Sequence, residues 1–124
     1  MDWRDLAKDH FQSAQTLLFA GHWRSAVSRA YYSSYCGVTW KALQKGPLTF
    51  AVGYQNPSHE AIPGLIRNKC VTPGPEANSL IESCVLLRYF RVEADYKPHI
   101  SIDEGLARDV LREARLVLSA LGVS

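Results

Sequence analysis

The sequence predicts an all-α fold, an up-and-down bundle of about five helices whose first two form a long antiparallel pair. Three observations carry that expectation. Apolar residues recur three and four positions apart through five segments, the spacing that puts them on one helix face. No segment alternates apolar and polar residues as a half-buried strand does. Glycine and proline breaks separate the segments, at Gly21, Gly46-Pro47, Thr72-Pro73-Gly74-Pro75 and Lys97-Pro98.

The first helix is expected to follow Asp2, an N-cap residue, with Trp3, Ala7, His10, Ala14, Leu17 and Leu18 on one face and Gly21 at its end. The second runs from about His22 to Lys45 and stops at Gly46-Pro47. The short bend at Gly21 packs these two against each other. Within the second helix, Ala26, Ala30, Ser33, Ser34 and Gly37 keep one side thin, so that a neighbouring helix approaches closely. His22, Ala26, Arg29, Ser33, Cys36 and Trp40 share one line, which sets Arg29 at the margin of a packed surface, where a charge needs a partner.

Residues 48–57 read as a loop. A short third helix is expected from roughly Ser58 to Cys70, with His59 at its start, where backbone donors favour anions. The fourth carries Leu80, Cys84, Leu87 and Arg91 on one line, Ile81 and Val85 beside them, and ends near Lys97-Pro98. Ser101 and Glu104 have the spacing of a capping box. It would open a fifth helix that turns Leu106, Val110, Ala114, Val117, Leu118 and Leu121 inward and closes at Gly122.

At 124 residues the chain reads as a single domain, 1–124, able to bury one core without metal or disulfide help. Fourteen basic residues against 12 acidic ones leave a net charge of +2, which argues against binding by bulk charge and leaves room for a local basic patch. Cys36, Cys70 and Cys84 are odd in number and lack CxxC spacing, so free thiols in a reduced, cytoplasmic chain are expected. No apolar run approaches a membrane span and the first residues are no signal peptide, so no membrane partner is expected. The four histidines are dispersed, and none pairs with cysteine at ligand spacing; neither a metal nor a cofactor is expected. Phosphate-loop, GxSxG and HExxH motifs are absent, as is any DNA-specific motif.

Among the polar residues, Arg91 and Asp95 are one turn apart and positioned to pair, with Tyr96 beside them. The pair either seals the bundle end or lines a cleft with Arg29, where a phosphate or sugar would bind. Cys36 is read as a packing residue rather than a nucleophile. Arg108, Arg112 and Arg115 form a stripe on the last helix, either solvated surface or a contact for an RNA backbone.

With these segments placed, the chain resembles the HEPN domain family (higher eukaryote and prokaryote nucleotide-binding) in its small prokaryotic stand-alone form. The resemblance rests on Arg29-Ala30-Tyr31-Tyr32 in a long second helix, His59 opening the third segment, and Arg91-x-x-Ala94-Asp95-Tyr96 closing the fourth. Ala14-Gln15-Thr16-Leu17-Leu18 ahead of Gly21-His22-Trp23-Arg24-Ser25-Ala26 adds to it. It implies a helical homodimer, often paired with a small nucleotidyltransferase in a toxin–antitoxin-like system. Many members are ribonucleases that use an arginine and a histidine four to six residues apart. After Arg91 that window holds Tyr96, Lys97 and Pro98, with His99 just beyond, and Cys36 stands where related chains often carry histidine. Arg4 and His10 have the spacing but lie in the first helix, away from the family's catalytic position.

The resemblance therefore implies a binding module ahead of an enzyme. It would engage a nucleotide, RNA or a nucleotidyltransferase partner through Arg29, Ser33, His59, Arg91, Asp95 and Tyr96. The alternatives are a metal-independent ribonuclease toxin, with Arg91, Tyr96 and His99 as candidate catalytic residues, and a ligand-free helical interaction domain. Trp23, Tyr31, Tyr32 and Trp40, aromatics in excess of what a five-helix monomer buries, add to the homodimer expectation.

Overall fold

The computed structural model describes residues 1–123, which form five α-helices and no strand. Helix α1 spans Trp3–Phe19 and α2 spans Trp23–Leu43. A capping box opens α1: Asp5 N donates to Asp2 Oδ1 at 2.8 Å, and Asp2 N donates to Asp5 Oδ2 at 3.2 Å. Gly21 adopts φ +80°, a conformation open to glycine, while the N–H groups of Gly21 and His22 return to the carbonyls of Leu18 and Leu17. That closure reverses the chain and lays α2 along α1, the most extensive helix–helix contact in the fold.

Helix α2 is the centre of the bundle, and 12 of its 21 residues are buried, more than one apolar stripe would account for. Its hydroxyls are satisfied locally, with Ser33 Oγ donating to Ala30 O at 2.6 Å and Thr39 Oγ1 to Tyr35 O at 2.9 Å. Its thin side receives α5, Glu104–Leu121. A Cβ added at Gly37 would stand 3.0 Å from Leu118 Cδ2 and 3.3 Å from Leu121 Cδ1, so α5 rests on the α2 backbone there.

The third segment departs from the single helix expected. His59–Ala61 is a 3-10 turn, Ile62–Leu65 forms the short helix α3, and Ile66–Cys70 is a π turn. Pro63 lacks an N–H and therefore fits the first turn of a helix, so α-helical pairing begins only at Ile62. A three-residue turn has no helix terminus to offer, which removes the anion-favouring helix start expected at His59.

Helix α4, Pro75–Tyr96, turns Leu80, Cys84, Leu87 and Ala94 inward. Val85, expected beside that line, is instead 54% exposed, because it lies 100° around the helix from Cys84 and past the packed stripe. No basic residue lies in the last turn of α4. Arg24, from the first turn of α2, fills that role from outside the helix. Its Nη1 donates to the carbonyls of Glu93, Ala94 and Lys97, and its Nη2 to those of Pro98 and Ile100. The expected Ser101/Glu104 capping box does not form. Asp103 is the N-cap and its Oδ1 accepts from Leu106 N at 2.8 Å, which leaves Ser101 outside the helix. Gly122, at φ +80°, closes α5 as expected.

The aromatic surplus is not on the surface. Tyr31 is 2% exposed, and Trp23, Tyr32 and Trp40 are half-buried against the core. The exposed large apolar side chains on α4 are Val85, Leu86, Tyr89 and, at its end, Tyr96. All three cysteines are free and buried, and burial pushes the Cys36 thiol up to about 12, which suits an inert packing role.

Candidate functional site

Arg91 is the hub of a polar cluster between α2 and α4. Its side chain is only 12% exposed, and its Nε lies 2.9 Å from Asp95 Oδ2, the i,i+4 pair the spacing predicts. This is a charge contact without hydrogen-bond alignment. The directed bonds come from Nη2, which donates to Tyr32 Oη at 2.7 Å and Tyr96 Oη at 3.4 Å. The guanidinium also stands over the rings of Tyr32 at 5.1 Å and Tyr96 at 5.3 Å, with Tyr31 at 6.0 Å. From α2, Ser28 Oγ donates to Asp95 Oδ2 at 3.1 Å and fixes the carboxylate. The arginine is thus gripped on several sides, and its orientation is fixed within the fold.

Tyr31, Tyr32 and Tyr35 form a ring cluster on α2 that receives His59, with centroid distances of 5.5, 6.1 and 5.3 Å to the imidazole. Tyr31 Oη is 2.6 Å from His59 Nδ1. Burial pushes the Tyr31 phenol upward, so it stays protonated and donates. Burial, then Arg91 and Arg88, hold His59 below its ordinary value. A neutral His59 accepting at Nδ1 carries its proton on Nε2. On the other side of Tyr32, His10 lies 6.0 Å from the ring and its Nδ1 is 3.1 Å from Arg29 Nη1. Burial and the Arg29 charge lower His10 as well, which leaves the same tautomer, with Nδ1 accepting from the guanidinium. Arg88, one turn before Arg91, pairs with Glu60 at 3.0 Å.

Three arginines therefore gather around two neutral histidines, and two of them, Arg88 and Arg91, are paired with Glu60 and Asp95. Arg29 has no carboxylate partner among the described residues. Glu60 is largely exposed, so its pairing with Arg88 is weak.

Of the residues singled out from the sequence, Arg91, Asp95, Tyr96 and His59 meet here, and Arg29 joins through His10 and Tyr32. Ser33 does not, since it is fully buried and its hydroxyl is engaged with Ala30 O. His99 is exposed in the turn after α4 and is not among the polar partners of Arg91, which are Tyr32, Tyr96 and Asp95. Arg4 is separated from His10 and stands over Trp40 at 5.5 Å. The basic stripe of α5 is largely neutralised, with Arg108 paired to Glu104, Arg112 to Asp109, and Arg115 over Phe11. His10, Ser28, Tyr31, Tyr32, Tyr35, Glu60 and Arg88 join the cluster without having been assigned to it from the sequence. Arg88 and Arg91 at i,i+3 was a legible signal. The approach of His10 depends on how α1 crosses α2 and had no local signature.

Among the described residues no group of three metal-ligating side chains occurs, and no helix is long and apolar enough to cross a membrane. A crystal structure of TT1696 from Thermus thermophilus is similar in fold, with a TM-score of 0.74 at 16% identity, covering 97% of this chain and 93% of that one. No curated protein matches the sequence. The family model described as HEPN domain matches residues 1–123, and the chain belongs to the HEPN domain family.

Proposed function

We propose that this HEPN domain binds the phosphate of a nucleotide or RNA chain at the α2–α4 cluster, with Arg29, Arg88 and Arg91 as charged ligands. The observation that carries this reading is the gathering of three arginines around two neutral histidines, with Arg29 lacking a carboxylate partner among the described residues. Arg91 is preoriented by the tyrosines and Asp95, while Arg29 and Arg88 are the accessible cations. The Nε2–H groups of His10 and His59 make no hydrogen bond among the described residues and are available as neutral donors.

The same tautomers favour binding over cleavage. Each imidazole lone pair, on Nδ1, is already engaged by Tyr31 or Arg29, so neither ring offers a free base to a ribose hydroxyl. Purified protein is accordingly expected to cleave RNA at or near background in EDTA, with Arg91→Ala and His59→Ala no slower. The binding test is isothermal titration with nucleoside 5′-phosphates, together with mass spectrometry of copurified nucleotides. Loss of one charge-assisted contact in Arg29→Ala or Arg88→Ala is expected to weaken binding by roughly tenfold or more, about 1.5–3 kcal/mol. Absence of binding at millimolar ligand rejects the reading.

The binding unit in this reading is a homodimer in the cytoplasm, joined through Val85, Leu86 and Tyr89, which α4 leaves exposed midway along its length. Light scattering of wild type and Tyr89→Glu tests it; a wild-type monomer at micromolar concentration contradicts it. The partner protein in this reading is a nucleotidyltransferase, as in a toxin–antitoxin-like pair, and the test is whether the protein, isolated from its native host, copurifies with a nucleotidyltransferase.

A further inference from the structure

Residues 47–58 form a long irregular connection between α2 and the third segment, and they are not slack. The Tyr35 hydroxyl donates to Pro57 O, and Asn56 Nδ2 donates to Tyr35 Oη at 2.9 Å, so the far end of the loop is tied to the aromatic cluster. Between this loop and the third segment lies a cavity of about 680 Å³, within the range of small-molecule sites. Phe50, Tyr54, Asn56, His59, Glu60 and Lys69 line it.

Their chemistry is specific. Tyr54 keeps its ring 66% exposed at the cavity, although an aromatic of that size is ordinarily packed. Asn56 uses its amide N–H on Tyr35 and retains a free carbonyl acceptor. Lys69 has no carboxylate partner among the described residues and comes from the π turn, a distortion that buries Ile66 and Cys70 and recurs at functional sites. Stacking faces with a donor and an acceptor at the rim match a planar heterocycle.

His59 and Glu60 are also walls of a second, smaller cavity of about 270 Å³, whose other walls include Tyr31 and Arg88. The two cavities thus share the His59 and Glu60 wall, and the second, otherwise largely apolar, has Arg88 in its lining.

We propose that the loop cavity is a base-binding subsite, taking the heteroaromatic ring of a nucleotide unit whose phosphate lies at Arg88 and Arg91. This rests on the phosphate reading above. The sugar spans His59, where Nε2–H meets its hydroxyl or ring oxygen, and the base stacks on Tyr54 and Phe50.

The experiment is NMR and calorimetric titration of the full chain with adenosine and uridine, ribose 5-phosphate, AMP, and a short single-stranded oligoribonucleotide. Nucleosides lacking phosphate are expected to perturb Phe50, Tyr54 and Lys69 at millimolar concentration. Tyr54→Ala, a change at an exposed side chain, is expected to weaken AMP or the oligonucleotide about tenfold, or about 1.4 kcal/mol, with ribose 5-phosphate unaffected. Arg88→Ala is expected to weaken AMP and ribose 5-phosphate while the nucleoside still reaches Tyr54. The proposal is overturned if nucleosides leave the cavity unperturbed, or if Tyr54→Ala binds AMP and the oligonucleotide as wild type does. In either case retained binding of ribose 5-phosphate keeps the phosphate reading, whereas its loss with nucleoside binding intact overturns that reading alone. The tighter of AMP and the oligonucleotide, both Tyr54-dependent, identifies the source of the nucleotide unit.

Discussion

Replacing Arg24 by alanine removes the cation that closes α4. Its guanidinium reaches five backbone carbonyls between Glu93 and Ile100. Five full bonds cannot be counted, because Nη1 has two hydrogens for three acceptors. Two good charge-assisted bonds, together with a cation at a helix C-terminus, give about 3–7 kcal/mol before solvent is counted. Water recovers the Lys97 and Pro98 carbonyls, which are exposed, so the net loss is about 2–4 kcal/mol. The consequence is local as well as global, since Asp95 and Tyr96 sit on the turn that Arg24 holds and both contact Arg91. Urea unfolding gives the stability change, and hydrogen exchange of residues 93–100 gives the local one. Arg24→Lys is expected to recover less than half, because a compact ammonium cannot span the same carbonyls. A loss below about 0.5 kcal/mol with unchanged exchange at 93–100 would refute the assignment of Arg24 as the clasp.

Asp95→Ala is expected to cost about 1–3 kcal/mol, toward the low end because the carboxylate is 27% exposed, and Arg91→Ala/Asp95→Ala should cost less than the two single changes summed. Additivity in that cycle would show the pair is not coupled. The folded state holds His10 and His59 below the ordinary 6.5, so the unfolded chain binds more protons as pH falls through that value. Their contribution is present above pH 6.5 and lost as pH drops through the depressed folded values, so the melting temperature should fall from about pH 7 to about pH 5 and flatten in a His10→Gln/His59→Gln variant. A wild-type melting temperature that is level or rising over that interval contradicts the neutral-histidine assignment. Gly37→Val places a branched side chain against Leu118 and Leu121, and chemical denaturation should show a loss of about 1–3 kcal/mol; a neutral result would mean α5 is free to move away.

Local signals in the sequence are strong wherever one residue type answers one geometric need. Gly21 and Gly122 mark turns that need a left-handed residue, and the small residues of α2 mark the close approach of α5. Arg91 and Asp95 are legible because their partnership is set by helix period alone. What escapes is decided by tertiary competition. Ser101 and Glu104 have the box spacing, yet Asp103 captures the N3 amide first. Ser33 shares a line with Arg29, but that line turns beneath α2 one helical turn later, and the hydroxyl is buried. His10 has only a chance spacing with Arg4, while its real partner, Arg29, is 19 residues away on the neighbouring helix. Arg24 lies in the Gly21-to-Ala26 motif and carries no sign that it spans some 70 residues to close α4.

The central claim is that phosphate is held by the arginines of α2 and α4 rather than by the stripe on α5. Side-chain nitrogen NMR of the arginine Nε and histidine Nε2 groups tests it directly, during titration of the wild-type protein with AMP. Saturable shifts at Arg29, Arg88, Arg91 and His59, with Arg108, Arg112 and Arg115 unmoved, are the predicted result. Shifts confined to Arg108, Arg112 and Arg115, with His59 and Arg88 silent, would contradict the account.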